Sequence, residues 1–238
     1  VLGGGDAGSV VLFSGASGAK LRKLADPGGA NYDHLGVSVA GIADVDGDLV
    51  PDVVAGAYYD DTTQGSNTGS VLLFSGATGT LIRKLTDPAG VANDYLGRSV
   101  AGLPDVNGDG IPDVVGGAPN NDAAATDAGR VVIFSGTDGT VLQRFTDPAA
   151  GGTDNLGTAV AVAELSGGGK PELLGGAEGA PLPEGQDAGK VMVFSFEADC
   201  DGDGESVLLD CNDANAAIGV GAPELCNTID DDCDGVVD

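Results

Sequence analysis

The chain has 238 residues and a net charge of -27, from 37 acidic side chains against 10 basic ones. Nucleic acid is excluded as a natural partner, because phosphate binding needs patches of Lys and Arg that are absent here, and cations are the expected counterpart. No run of about 18 apolar residues could span a membrane, and the N-terminus lacks a signal-peptide pattern, so the chain reads as a mature product or a fragment. Apolar residues make up 42% of it, against wholesale disorder, and 42 glycines with no tryptophan suit short strands and tight turns.

Taken in order, the chain repeats itself. VVLFSGASG (from Val10), VLLFSGATG (from Val71), VVIFSGTDG (from Val131) and a truncated VMVFSFEAD (from Val191) place phenylalanines at 13, 74, 134 and 194, a period of 60 or 61. HLGVSVAG, YLGRSVAG and NLGTAVAV recur at the same step, as do DVVAGA, DVVGGA and ELLGGA. So regular a period predicts stacked or radially arranged units. In the unit from Leu35, strands are expected near Val37 to Ile42, Asp52 to Gly56, Ser70 to Phe74 and Leu81 to Leu85. The fold class is therefore all-β, with four-stranded blades of the β-propeller type. The expected organisation is a part-blade (1–34), repeats at 35–95 and 96–155, a truncated repeat at 156–196, and a separate acidic module at 197–238.

The four phenylalanines should pack between neighbouring sheets. Lys20, Arg22, Lys23, Arg83, Lys84 and Arg144, six of the ten basic residues, lie on or beside the fourth strand. Protection of an open outer edge is the first expectation for them, and a basic rim meeting another copy the second.

Between the first and second strands of two repeats lie DVDGDLVPD and DVNGDGIPD. Oxygens at loop positions 1, 3, 5 and 9, with the carbonyl at 7, suit a hard cation of six or more ligands. The candidate ligands are Asp44, Asp46, Asp48, the Val50 carbonyl and Asp52 in the first loop. In the second they are Asp105, Asn107, Asp109, the Ile111 carbonyl and Asp113. Calcium fits a mostly protein-built cage better than magnesium. The third loop, ELSGGGKPE, has Ser166 and Gly168 at positions 3 and 5 and adds Lys170, so it is expected to fold without metal.

LGxSVA, the two acidic loops and GGAP together resemble the FG-GAP repeats of integrin alpha-subunit propellers and of many bacterial surface proteins, over roughly residues 1 to 196. The resemblance implies a calcium ion that stiffens the loop between strands one and two of a blade. Leu49 stands where that pattern has glycine, and the repeats are fewer than the seven blades of the integrin type. A closed four-bladed ring, a head-to-tail fibre and a fragment of a longer propeller are the alternatives, with fibre or fragment ahead of the ring.

From Glu197 the composition changes: all four cysteines and thirteen acidic residues fall in the last 42 positions. DCDGDGESVLLD has the spacing of a twelve-residue calcium loop, with Asp199, Asp201, Asp203, the Glu205 carbonyl and Asp210 as candidate ligands. DDDCDGVVD offers Asp230, Asp232, Asp234 and Asp238. One or two calcium sites are expected here beside the two in the propeller loops. The run resembles a cysteine-framed metal-binding motif of secreted bacterial proteins and, more loosely, thrombospondin-type calcium repeats. Cys200, Cys211, Cys226 and Cys233 fit no common zinc spacing, so two disulfides of open pairing are expected, in an oxidising compartment.

No catalytic motif is visible, and His34, the single histidine, reads as a solvated loop residue. The sequence thus points to a non-enzymatic, calcium-binding structural or adhesive protein, secreted or at a bacterial cell surface, that associates with itself or with another surface protein or glycan. A ligand-binding propeller module and a non-catalytic domain of a secreted hydrolase are the alternatives.

Overall fold

The computed structural model describes residues 6–165, 171–180 and 188–195. Among them are thirteen strands and no helix. In the part-blade, β1 (Val10–Phe13) pairs with β2 (Lys20–Leu24). Blade one is the antiparallel meander β3 (Val39–Ile42), β4 (Asp52–Ala57), β5 (Ser70–Phe74) and β6 (Leu81–Leu85). Blade two repeats it with β7 (Ser99–Leu103), β8 (Asp113–Ala118), β9 (Arg130–Phe134) and β10 (Val141–Phe145). Blade three has β11 (Leu156–Ala163), β12 (Glu172–Ala177) and β13 (Lys190–Ser195) among the described residues. The third and fourth strands of blade one fall on the bounds expected from sequence, and its first begins two residues later.

Apolar pattern and packing agree. All five positions of β5 and of β9 are buried, because a neighbouring sheet covers each face, and both strands accordingly read as apolar runs. Leu72 and Phe74 face back, in a cluster with Val10, Leu24 and Leu35. Val71 and Leu73 face forward, against Val114, Val132 and Phe134 of blade two. A third cluster joins Val131 and Ile133 to Leu156 and Leu173 of blade three. Phe74 and Phe134 are wholly buried, each contributing about 1.5–3 kcal/mol by removal from water, and Phe194 is packed against the third cluster. Phe13, expected to be buried as well, is 62% exposed.

Backbone contacts lock each sheet to the next. Leu35, Leu96 and Leu156 donate their N–H groups to the carbonyls of Ala7, Thr68 and Ala128 at 2.9–3.0 Å. At Gly117 a Cβ would overlap the carbonyl oxygen of Gly157, so only glycine lets blades two and three approach this closely.

The meander puts the loops between strands one and two, and the turns between strands three and four, at one end of every blade. Loops between strands two and three, and those linking blades, lie at the other. At the C-terminal side β13 pairs with β12 along its whole length. It fills the third-strand place of blade three, as β5 and β9 do in the blades before it.

Candidate metal centre

Both acidic loops fold around their first aspartate. Asp44 Oδ1 accepts the N–H groups of Gly47 at 2.8 Å and Asp48 at 3.2 Å, and Oδ2 accepts that of Leu49 at 2.7 Å. Asp105 does the same with Gly108 at 2.8 Å and Gly110 at 2.7 Å. Although desolvation acts the other way, these N–H bonds together hold the Asp44 carboxyl below its ordinary value, so it stays ionised. The wrap brings one oxygen each of Asp44, Asp46 and Asp48 within 4.8 Å of one another. In the second loop Asn107 takes the middle place, and its amide donates to Asp109 Oδ2 at 3.0 Å. Ser75 and Ser135, from the neighbouring turns, donate to Asp48 at 3.4 Å and Asp109 at 3.5 Å.

The ninth-position carboxylates have a task that the sequence did not announce. Asp52 accepts the N–H groups of Val45 at 2.8 Å and Gly76 at 2.9 Å, and Asp113 those of Val106 at 2.9 Å and Gly136 at 3.1 Å. Each thereby ties its loop to the turn beside it. Glu172, at the same place in the third repeat, accepts the Leu165 N–H at 2.6 Å. The loop half of the clamp therefore persists where Ser and Gly replace the acids of positions 3 and 5, which marks that bond as a device of the fold itself. Burial, reinforced by Asp109 and Asp105, pushes the Asp113 carboxyl up to about 6, and burial raises that of Asp52 in the same direction. Val50 and Ile111, the carbonyl candidates, lie between cage and clamp. Residues 166–170 of the third loop lie outside the described residues, including Ser166, Gly168 and Lys170.

Four of the six basic residues do something other than guard an edge or form a free rim, while Lys20 and Lys23 are exposed on the part-blade. Arg22 Nε donates to the Gly76 carbonyl of blade one, and Arg83 Nε to the Gly136 carbonyl of blade two, each at 3.0 Å. Lys84 points the other way, to Asp26 at 3.0 Å and Asp60 at 2.7 Å, as Arg144 does to Asp87 at 2.6 Å. Adjacent residues of a strand face opposite sides, so an Arg-Lys pair on the fourth strand grips both neighbours. Arg130, on β9, completes this network with 2.7 Å to Asp87 and 3.0 Å to Asn121, and Lys190, on β13, pairs with Asp147 and Asp154.

The end opposite the acidic loops carries an aromatic cluster. His34 is half-buried and not simply solvated: its ring lies 5.1 Å from Tyr59, edge-on, and its Nδ1 3.5 Å from the Tyr58 hydroxyl. Tyr58 and Tyr59 lie 4.1 Å apart, and Tyr95 meets both edge-on. Three of the four tyrosines and the single histidine thus gather in one place. His34 and Tyr95 hold the same repeat position 61 residues apart, the one sign of this cluster in the sequence.

The C-terminal candidates lie outside the described residues: Asp199, Asp201, Asp203, Glu205, Asp210, Asp230, Asp232, Asp234, Asp238 and the cysteines at 200, 211, 226 and 233. No described helix is long and apolar enough to cross a membrane.

Comparison with known proteins agrees with this geometry. Residues 96–134, blade two through its third strand, match the family model of the FG-GAP repeat. Residues 210–238 match one described as a "putative metal-binding motif", Cu-binding_MopE. The chain is 30% identical to integrin alpha-2 of Mus musculus over 149 residues, 60% of this chain and 12% of that protein. It is 30% identical to integrin alpha-E of Mus musculus over 158 residues, 61% of this chain and 13% of that protein. With integrin alpha-6 of Homo sapiens it shares 31% identity over 90 residues, 38% of this chain and 7% of that protein. The chain therefore spans about an eighth or less of these relatives' length. It is an all-β protein of propeller-type blades carrying integrin alpha-like FG-GAP repeats, with a metal-binding motif at its C-terminal end.

Proposed function

We infer that the protein is a secreted or surface-exposed, calcium-stabilised structural or adhesive module without enzymatic activity, whose blades are stiffened by two loop-bound calcium ions and which assembles with further copies into an extracellular structure. The convergence of Asp44, Asp46 and Asp48 oxygens within 4.8 Å carries the calcium part of this reading. Such a cluster on a chain of net charge -27 is self-repelling until a cation enters. The ligands proposed are the residues of positions 1, 3, 5, 7 and 9 in each loop, with Asp52 and Asp113 clamping as well as facing the ion. The C-terminal module is proposed to hold one or two further calcium ions within a disulfide frame.

Isothermal titration with calcium tests it. Asp48→Ala and Asp109→Ala should each remove about one bound equivalent, and saturation of a site at 100 times its Kd should stabilise by about 2.7 kcal/mol. Unchanged stoichiometry in both variants, with a melting temperature indifferent to EGTA, would exclude the loop sites.

The aromatic cluster around Tyr58 and Tyr59 favours a second reading, a binding module for a protein or glycan that uses the end opposite the acidic loops. Rings presented with polar edges suit such ligands. Loss of glycan or protein capture on Tyr59→Ala, with calcium binding intact, is the outcome that would promote it over the first.

A further inference from the structure

At loop positions 1, 3, 5 and 9 the two acidic loops differ only at the third, which is Asp46 in the first and Asn107 in the second. Asn107 is followed by Gly108, in the single Asn-Gly pair of the chain. In such a pair the main-chain nitrogen of the glycine can attack the side-chain amide carbon of the asparagine, because no Cβ blocks the approach and the backbone is least restricted. Gly108 is exposed and has a φ of +79°.

Three hydrogen bonds arm the loop for that attack. The N–H of Gly108, the nucleophile, donates to Asp105 Oδ1 at 2.8 Å, so an acceptor for its proton is in place. Asn107 Oδ1, where negative charge develops, accepts the Asp109 N–H at 3.3 Å. Asn107 Nδ2, the nitrogen that must leave, donates to Asp109 Oδ2 at 3.0 Å. These last two partners fix which way round the amide lies, since a main-chain N–H only donates and an ionised carboxylate only accepts. The first loop repeats the frame around a carboxylate. There the Gly47 N–H donates to Asp44 Oδ1 at 2.8 Å and the Asp48 N–H to Asp46 Oδ1 at 3.2 Å. The fold thus already accepts an aspartate at position three in the same backbone setting.

We propose that Asn107 is a self-modification site: the second acidic loop deamidates it and so turns its own side-chain set into that of the first. Gly108 N bonds to Asn107 Cγ while its proton passes to Asp105 Oδ1 and on to the departing Nδ2. The Cγ–Nδ2 bond breaks, and ammonia leaves behind a cyclic succinimide. Water then opens the ring. Attack at Cγ breaks its new bond to Gly108 N and gives aspartate, whereas attack at the Asn107 main-chain carbonyl carbon gives isoaspartate. Either way one water is consumed, one ammonia is released and one carboxylate is gained, with nothing oxidised or reduced. The aspartate product carries carboxylates at 105, 107 and 109, the places at which the first loop brings Asp44, Asp46 and Asp48 within 4.8 Å. Tighter cation binding by the modified loop would rest on the calcium reading given under Proposed function; the modification itself does not.

The test incubates the full chain in mildly alkaline buffer with EGTA and follows each asparagine by peptide mass mapping, with isoaspartate detected separately. A parallel sample is held unfolded in urea, where the three hydrogen bonds are gone. Asn107 should react before the other described asparagines, and faster in the folded chain than in the unfolded one. Asp105→Asn should slow the folded reaction by roughly a hundredfold or more, the scale of a positioned proton acceptor. A folded chain that reacts no faster than the unfolded one would mean that the bonds pin the loop instead of arming it, and would overturn the proposal even if the variant failed to fold. Folded Asp105→Asn that reacts as fast as wild type would overturn it too. Calcium titration of Asn107→Asp is scored apart from these rates, so failure of the calcium reading leaves the modification standing.

Discussion

Between the part-blade and blade one, three largely buried carboxylates, Asp26, Asp33 and Asp60, face one cation among the described residues, Lys84, which pairs with Asp26 and Asp60 and acts on Asp33 at longer range. Between blades one and two, the corresponding places hold Asp87, Asp94 and the neutral Asn121, and two cations, Arg130 and Arg144, serve them. The backbones are the same, and the electrostatics differ by two unit charges. Strand position explains half of that difference. Arg130 opens β9, whereas the residue opening β5 is Ser70, whose hydroxyl is wholly buried and has no hydrogen-bond partner. Desolvation, with Asp60 and Asp26 adding to it, raises the Asp33 carboxyl above its ordinary value. Asp87 is held below its own, because bonds to Arg144 and the Ala89 N–H outweigh its desolvation. A repeat fold can therefore keep one geometry while its junctions range from balanced to overcharged.

The largest expected effect lies at the balanced junction. Arg130→Met removes the guanidinium that joins Asp87 to Asn121 and leaves buried polar groups short of a donor. About 3–5 kcal/mol of stability should be lost, read from urea unfolding. Ser70→Ala, the matched change at the other junction, should cost almost nothing, since that hydroxyl makes no bond. A cost below about 1 kcal/mol for Arg130→Met would mean that the ion network is incidental and that the apolar clusters alone hold the blades.

Ser70→Lys sharpens the comparison by giving the overcharged junction the cation that Lys190 supplies to the third. A charge-assisted bond of this kind should stabilise by about 1–2 kcal/mol at neutral pH. The pH dependence tells whether the cause is electrostatic. Because the folded-state pKa of Asp33 is raised, the folded protein binds the proton more tightly than the unfolded chain. Its ionisation costs stability at neutral pH, and the cost disappears as the pH falls through the raised pKa towards 3.8. The gain from Ser70→Lys should accordingly be full at pH 7 and shrink on acidification through the carboxylate range. A gain that stays constant with pH would point to packing instead.

How far the sequence foretold all this can be seen at particular residues. The strands were legible because FSG and the valine-rich runs recur at a fixed step, and the charged pair inside LIRKL, against the unbroken apolar run of SVLLF, separates an outer strand from an inner one. Strand geometry puts Arg83 and Lys84 on opposite faces. It could not say that both faces would meet a neighbour, so an edge role was expected where an inter-blade grip is found. The two acidic loops were legible as candidate sites from spacing alone, and the structure brings Asp44, Asp46 and Asp48 together in the first. The clamp of Asp52, Asp113 and Glu172 was hidden inside the same spacing, because a carboxylate that binds N–H groups and one that binds a cation look identical in a string of letters. The junction acids did leave a mark: Asp26, Asp87 and Asp147, and Asp33, Asp94 and Asp154, recur with the period of the repeat. Their partners left none, since Ser70, Arg130 and Lys190 differ in type at one shared place.

The smallest effect carries the same method of comparing equivalent positions into the acidic loops. Leu49 and Gly110 both occupy position six, both have positive φ, +67° and +85°, and both donate an N–H to the first aspartate at 2.7 Å. The loop path thus demands a left-handed residue in either sequence, and in the first repeat a branched side chain supplies it. A non-glycine residue there costs about 1–2 kcal/mol, and Leu49, 90% exposed, recovers nothing by burial. Glycine would in turn lose more backbone entropy on folding, about 0.5–1 kcal/mol. Leu49→Gly should therefore stabilise the calcium-free protein by a net of about 0.5–1 kcal/mol, and Gly110→Leu should destabilise it by a similar amount. Thermal melts of the two variants in EGTA decide the matter. Opposite shifts of comparable size would show that the loops are interchangeable in backbone and differ in one side chain. Destabilisation by Leu49→Gly would mean that the first loop depends on its leucine for something beyond the path of its chain.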